Sequence, residues 1–569
     1  MIADASRATS EALQARVVEL EAALAAERAR ADEAITERDR LREAYRQLQL
    51  EVELARRRLV IAKAERVDTH QLQLEFAAKL RELDTLGKQL PGPPEPELGD
   101  DPIPPRRKRT SRPTGRRRLV ELVLPEERIE LADPVLEGSA ARIGTEDSYK
   151  FMWRRAGFVR LVIARVKYKI GAGDAAELAT AELPRELITR SLAAPSLLAH
   201  IASDKFCDGL PLHRQEDRFA RLGARIDRGT MCRWLEELGG SVGATVVAAM
   251  RADALAHAFC IATDATGVLV QPIPGGDQRP RACRRGHYFV QIADADHVFF
   301  EYTAKETSTA VAGLFRGFSG YVQADAKSVH DVLFRPPSQR PPPADGADAD
   351  LAERLEVGCW AHARRKFWEA AITKDAIARE GLARINRIFE LDRSWRRQPA
   401  PEITALRELH LRAHTDAFFA WVDAEYEQVR AQRGFLRTAL GYAHRQRSPL
   451  TRFYDDGRLR LDNNASERAL RTIAVGRKAW MFVGSDDHAE AAGNLMTLIA
   501  SARLHGLDPE VYLRDVFRVL PYWPRGRYLE LCPRDWRVTR GRLDTAELER
   551  ELGPLAVPSL PSSEQPVTR

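Results

Sequence analysis

Three carboxylates stand out by their settings. Phe259-Cys-Ile-Ala-Thr-Asp264 is an apolar run ending in an acid, and Gly320-Tyr-Val-Gln-Ala-Asp325 is another. The third acid, Glu467, sits in Asp462-Asn-Asn-Ala-Ser-Glu-Arg-Ala-Leu-Arg471, with Arg477 and Lys478 just beyond. Asn464 and Glu467 have the spacing of a helix N-cap and its N3 partner, which starts a helix near Ala465. Each acid has an ordinary reading. An Asp after a strand is a turn former, and Glu467 is a capping residue on a basic surface helix. Together they allow other chemistry. Carboxylates from separate elements are costly to gather unless a cation neutralises them. Mg²⁺ takes oxygen ligands, and two such ions activate an attacking oxygen and stabilise a leaving one in phosphodiester cleavage. Arg468, Arg471, Arg477 and Lys478 would then hold a nucleic-acid backbone.

The elements that must position these acids read as a mixed sheet with helices on it. Strands are expected at 259–264, 287–293, 297–303 and 320–325, with a helix from Thr307 to Phe318. Functional residues in such sheets gather at strand ends. A proline-rich loop spans 335–356, and Glu356-Val-Gly-Cys-Trp is a last strand running into a basic helix. Residues 367–447 read as helical throughout. Ser485 is placed to cap a helix reaching Leu504 and stopped by Gly506, and Asp508-Pro509 opens another. The tail after Pro554 is expected to be disordered.

Upstream, apolar residues recur at four–three spacing from Leu13 to Leu59, with Glu27 and Arg38 as the polar exceptions. Such heptads predict a coiled coil, or else a helix packed on its own protein. Pro91-Gly-Pro-Pro-Glu-Pro begins a linker. It continues into a run containing Arg106, Arg107, Lys108, Arg109, Arg116, Arg117 and Arg118, a solvated tether that also touches DNA phosphates. Residues 119–170 are strand-rich, above all Phe158-Val-Arg-Leu-Val-Ile-Ala-Arg-Val. They hold no Cys or His, so no zinc is expected there. From 183 to 240 the pattern turns helical. Leu212–Leu222, a turn at Gly223 and a helix bearing Arg228 and Arg233 are compatible with a helix-turn-helix, and equally with a plain helical hairpin.

The totals set bounds. With 569 residues, 44% of them hydrophobic, several domains are expected. A net charge of +6 leans toward an anionic partner. Six cysteines without a Cys-x-x-Cys pair argue for reduced thiols. Neither a long apolar run nor a signal pattern is present, so a cytoplasmic protein with no membrane contact is expected.

The chain resembles the insertion-sequence-66 family of bacterial DDE transposases. Leu183-Pro-Arg-Glu-Leu-Ile, Leu210-Pro-Leu-His-Arg-Gln-Glu, Thr263-Asp-Ala-Thr-Gly and Gly320-Tyr-Val-Gln-Ala-Asp carry the resemblance. So do Gly358-Cys-Trp-Ala-His-Ala-Arg-Arg-Lys-Phe, Asp462-Asn-Asn-Ala-Ser-Glu-Arg-Ala-Leu-Arg, Gly476-Arg-Lys-Ala-Trp, Val483-Gly-Ser and Asp508-Pro-Glu-Val-Tyr-Leu-Arg-Asp-Val. They run in family order over residues 183–520, followed by a similar Leu531-Cys-Pro-Arg-Asp-Trp segment.

The resemblance implies an α/β ribonuclease-H-like core over 251–366 and 451–505, interrupted by a helical insertion over 367–450. Around it would lie a coiled-coil oligomerisation helix over 1–90, a linker over 91–118 and a small β-rich domain over 119–182. A helix-turn-helix-like segment over 183–250 and a C-terminal helix and tail over 506–569 complete the plan. It implies that Asp264, Asp325 and Glu467 are the catalytic residues and hold two Mg²⁺, with Mn²⁺ as a substitute. The implied partners are the element's terminal inverted repeats, target DNA, a second copy of the chain and accessory proteins of the same element, in a bacterial nucleoid. Cys359-Trp-Ala-His362 matches a Cys-x-x-His signature whose role the sequence leaves open. The chain departs from the family pattern twice. It lacks cysteines in the zinc-finger-like position, and its first motif reads Asp-Ala-Thr, without a second acid. An inactive DNA-binding relic and a ribonuclease-H-like structure-specific nuclease are the rival readings.

Overall fold

The computed structural model describes residues 124–154, 157–170, 177–272, 282–340, 350–373 and 375–560, with four isolated positions between 44 and 85. Those four apart, the heptad region, the linker and the basic run at 106–118 lie outside the described residues. The chain divides into two compact units, residues 1–113 with 372–374, and residues 114–371 with 375–569. Every strand described belongs to the second.

The first sheet comprises β1 (Glu126–Leu131), β2 (Ala141–Arg154), β3 (Gly157–Ile170) and β4 (Glu177–Thr180). The β-branched run at 158–170 forms its centre, with β1 parallel and β2 and β4 antiparallel to it. Leu161 and Ile163 bury one face with Met152, while Phe151 and Phe158 join the main core. Ion pairs such as Arg128–Asp147 and Arg142–Glu130 link the strands on the solvent side.

Four helices follow: α1 (Pro195–Phe206), α2 (Leu212–Arg221), α3 (Arg228–Val242) and α4 (Ala248–His257). Pro195 opens α1, and Gly223 takes a left-handed turn (φ +85°) between α2 and α3. The Asp227 carboxylate caps α3 by accepting from Gly229 N at 2.8 Å.

The second sheet holds β5 (Cys260–Val270), β6 (Arg284–Ala293), β7 (His297–Thr303), β8 (Gly320–Gln323) and β9 (Arg354–Val357), in the order β7-β6-β5-β8-β9. The first three are antiparallel, and β8 and β9 run parallel to β5. Helix α5 (Ser308–Leu314), capped by Thr307, crosses from β7 toward β8. The expected strand end at Asp264 is corrected here: β5 continues to Val270. Its ladder with β6 runs unbroken from Ile261↔Ala293 to Val270↔Arg284, so pairing carries the strand past the acid. Asp325 lies two residues beyond β8.

Residues 367–447 are helical for most of their length, as expected. Helices α6 (Trp360–Ala371), α7 (Ala376–Trp395), α8 (Ala400–Leu406), α9 (Arg412–Val429) and α10 (Phe435–Arg445) pack around Trp360, Phe367, Phe418, Phe419 and Phe453. The buried Arg407 pairs with Asp392 at 2.9 Å and donates to the Phe453 and Leu459 carbonyls, fastening the returning chain. Two helices then come back to the sheet, α11 (Asn464–Trp480) and α12 (Asp486–Leu504), and α13 (Pro509–Val519) packs on α1. Ser485 and Asp508 cap the last two, accepting from His488 N and Val511 N.

Two expectations fail in this region. The capping box at Asn464 does not form. The N-cap position is Asn463, and no side chain caps α11, because the Asn463 amide is turned to the sheet. The chain after Pro554 is also ordered as far as residue 560. Leu555 is buried, Arg518 donates to Gly553 O at 2.8 Å, and Arg527 donates to Pro558 O at 2.8 Å.

Helix α12 covers the edge strand β7. Thr497 Oγ1 accepts from Phe300 N at 3.0 Å, and Ser501 Oγ accepts from Val298 N at 3.0 Å. A strand edge left open in this way would otherwise invite pairing with other chains. The approach needs Gly493, where a Cβ would stand 2.4 Å from the Phe300 carbonyl oxygen.

Candidate active site

The acids occupy one end of the parallel part of the second sheet. Asp264 is on β5, and Asp325 follows β8, its parallel neighbour. Asp264 Oδ1 accepts from Ala265 N at 2.7 Å. Burial raises its pKa above the ordinary carboxylate value, the Ala265 hydrogen bond opposes this, and the negative charge of Asp325 adds to the rise. Asp325 moves the other way. Burial again pushes it up, but His330 and the Lys327 ammonium outweigh that and hold it low. Lys327 Nζ is 3.5 Å from Asp325 Oδ2 and 3.5 Å from Glu306 Oε1. His330 Nδ1 lies 3.3 Å from both the main-chain oxygen and Oδ1 of Asp325, with hydrogen-bond geometry only to the first.

Glu467 lies in the first turn of α11. Its position is fixed by a short lattice of bonds. Asn463 Nδ2 donates to Thr263 O at 2.7 Å, next to Asp264. Asn463 N donates to the sulfur of the fully buried Cys359 at 3.3 Å, and Trp360 N donates to Leu461 O at 2.8 Å. Gln323 Nε2, on β8, donates to Arg460 O at 2.7 Å. The Cys-x-x-His signature therefore has a structural half. Burial pushes the Cys359 thiol up to about 11, so it stays protonated and serves as a wedge between α6 and α11. Its other half faces the acids. His362 Nε2 is 3.8 Å from Glu467 Oε1, close enough to Asp264 and Asp325 to interact electrostatically with both. Arg365 Nη2 is 3.5 Å from the same oxygen of Glu467.

The structure thus brings Asp264, Asp325, Glu467 and His362 to one place. Among the described residues, however, no three His, Cys, Asp or Glu side chains gather tightly enough to hold a metal ion. The chemistry of the donors fits a hard divalent cation, being all carboxylate oxygen. The buried Oδ1 of Asp325 also lacks a hydrogen-bond donor. Glu467 is paired with Arg365 and His362.

The predicted basic residues scatter. Arg468 and Arg471 are exposed along α11, and Lys478 is exposed near its end. Arg477 is committed to the sheet, donating to Gly267 O at 2.7 Å and Thr266 Oγ1 at 3.1 Å. Arg228 and Arg233 are exposed on α3, whose opposite face is buried through Met231, Trp234, Leu235 and Leu238. Sequence reasoning missed Lys327, His330, Arg365 and Asn463. The signal for the first two was readable in Asp325-Ala-Lys-Ser-Val-His330, an acid with two potential cations in the loop after a strand.

An α/β protein with one acid on β5, a second just past the end of its parallel neighbour β8 and a third on a basic helix has the makings of a phosphodiester-processing enzyme. The chain belongs to the IS66 transposase family, whose model matches residues 190–491, more than half of its length. The IS66 C-terminal element matches residues 497–533. Among curated proteins it is similar to the uncharacterized proteins y4qI and y4hP of Sinorhizobium fredii. It is 28% identical to y4qI over 379 residues, and 28% identical to y4hP over 401. Each match covers 66% of this chain and 68% of the relative. No helix among the described residues is long and apolar enough to cross a membrane.

Proposed function

We infer that the protein is a DNA transposase that cuts at the ends of its own mobile element and joins them to target DNA. The observation that carries this is the placing of Asp264 on β5 and of Asp325 just past the end of its parallel neighbour β8, with the helix of Glu467 tied to β5 through Asn463. The strand order β7-β6-β5-β8-β9, antiparallel then parallel, supports a ribonuclease-H-like core, and the helices between β9 and α11 are its insertion.

Asp264, Asp325 and Glu467 would hold divalent cations, Mg²⁺ by preference. Such ions lower the pKa of an attacking hydroxyl and offset charge on the leaving oxygen. Water adds to phosphorus at the element end as the bond to the 3′-oxygen breaks. The freed 3′-hydroxyl then attacks a phosphodiester of the target, releasing its own leaving 3′-oxygen. This chain's residues position these steps. Lys327 neutralises the two aspartates, Arg468 and Arg471 hold the backbone, and Arg365 exchanges Glu467 for a phosphate when DNA arrives. The N-terminal heptads would pair two copies, so that two element ends are held together.

The test is Glu467→Gln. The change keeps size and removes charge. Its partners are partly exposed, so it costs less than about 1 kcal/mol of stability. Nicking of element ends should fall by orders of magnitude, with DNA binding retained, and Asp264→Asn and Asp325→Asn should behave alike. A Glu467→Gln protein that nicks at a rate near wild type would sink the catalytic reading and leave Glu467 as the ion-pair partner of Arg365.

A further inference from the structure

Beside the acids lies a cleft of about 1240 Å³, between the face of β5 and β6, helices α11 and α12, and the segment returning from the insertion. Its floor is apolar. Cys260, Ala262 and Ile292 are only half-buried although they sit on central strands, because no described residue covers them there. Met496 and Ala500 close the far wall. Its rim is basic. Seven arginines line the cleft against three aspartates, and one of those arginines, Arg407, is spent on buried Asp392. Arg396 reaches Asp462 at 3.3 Å, whereas Arg460, Arg468 and Arg471 are exposed without an acidic partner among the described residues. At the mouth, the Arg458 guanidinium stacks 3.5 Å over the Phe259 ring and pairs with Asp456 at 2.8 Å, making a flat plate held in place by that ion pair.

The cleft leads straight to the acids. Side chains alternate along a strand, so Cys260, Ala262 and Asp264 share one face of β5. One step of two residues, about 7 Å, separates Ala262 from Asp264. Gln323 lines the cleft two residues before Asp325, and Asn463 lines it four residues before Glu467.

We propose that this cleft binds unpaired DNA, a stretch of nucleotides flanking the scissile phosphodiester. The proposal rests on the transposase reading above and specifies the form of its substrate. A duplex turns its bases inward and offers only phosphates, so it would engage the arginine rim and leave the apolar floor bare. An unpaired strand satisfies both, with bases on the floor and on the Phe259–Arg458 plate and phosphates on the rim. The volume exceeds the roughly 300–1,000 Å³ that encloses a drug-sized ligand, which leaves room for more than one nucleotide. The element end must therefore open locally before it is cut.

The experiment measures fluorescence anisotropy of the full chain, without divalent metal. The probes are a short unpaired oligodeoxynucleotide, the matching blunt duplex, polyphosphate and a polyglutamate peptide. Ala262→Trp fills the floor and Ala500→Trp fills it from the opposite wall, with circular dichroism confirming that each folds. Wild type should prefer the unpaired strand. Each filling variant should weaken that binding by about tenfold or more, a loss of stacking by one base. Duplex and polyphosphate should lose less than about threefold. Should Ala262→Trp not fold, Ala500→Trp and Arg460→Gln decide, the last weakening all anions together. Equal loss for duplex and unpaired strand in a cleft-filling variant overturns the proposal, as does wild-type binding of polyglutamate as tight as that of the strand. No carboxylate chemistry enters this measurement. Strand binding with carboxylate-independent nicking would refute the mechanism and leave the cleft standing, and the converse would do the reverse.

Discussion

At the scale of single residues, the site is held by groups whose roles are invisible to spacing alone. Cys359 belongs to a signature that reads as half of a metal site. In the fold its thiol is buried and protonated and accepts a backbone hydrogen bond from Asn463. Alkylation with iodoacetamide near neutral pH should therefore spare Cys359 and modify the exposed Cys283, which mass spectrometry resolves. Equal labelling of the two would contradict the wedge. Replacing Cys359 by Ala strips the buried Asn463 N–H of its acceptor. It should cost about 1–3 kcal/mol in urea unfolding, and should lower nicking, because α11 loses its seat. The acids themselves were legible from sequence, as apolar runs ending in Asp and a Glu on a basic helix. Their electrostatics were not. Whether Asp325 sits above or below the usual carboxylate range depends on Lys327 and His330, which a loop conformation brings to it.

At the scale of elements, local patterns and capping residues served well where neighbouring residues decide. The strands of both sheets, the helices opened by Pro195, Ser485 and Asp508, and the helical insertion follow from local patterns. They failed where long-range pairing decides. β5 runs through Asp264 because β6 lies alongside, and α11 lacks its capping box because Asn463 bonds Thr263 instead. The last residues before 560 are held by Arg518 and Arg527, side chains that no local pattern links to them. The contact of α12 with β7 gives the sharpest prediction. Gly493→Ala forces a Cβ against the Phe300 carbonyl and should destabilise by about 1–3 kcal/mol. Thr497→Val, nearly isosteric, leaves Phe300 N–H unpaired and should cost a similar amount, about 1–3 kcal/mol. Both are read by thermal or urea unfolding. A neutral result for both would mean that α12 does not seal the edge.

At the scale of the whole molecule, the C-terminal segment is part of the core rather than an appendage. His297, buried on β7, bonds Asp253 at 3.1 Å, and Arg534 reaches the same carboxylate at 2.7 Å. Burial holds the His297 pKa below its usual 6.5, with the Asp253 hydrogen bond opposing and the Arg534 charge assisting. The unfolded chain then takes up a proton that the native state refuses. The contribution of His297 is complete above about pH 6.5 and is lost as pH falls toward the lower folded value. Melting temperature should drop between about pH 8 and pH 5, and less steeply in His297→Asn; an unchanged slope would remove His297 from the account. Deleting residues 1–90, the heptad region, should convert an oligomer to a monomer by light scattering, and an unchanged mass would refute the coiled-coil expectation. The cover on β7 also has a consequence during synthesis. Thr497 emerges from the ribosome 197 residues after the Phe300 amide that it satisfies. At typical translation speeds this leaves a bare strand edge for about 10 to 40 seconds. Nascent chains stopped before α12 should therefore clump rather than cut, so that a truncated copy of the gene yields no rogue nuclease.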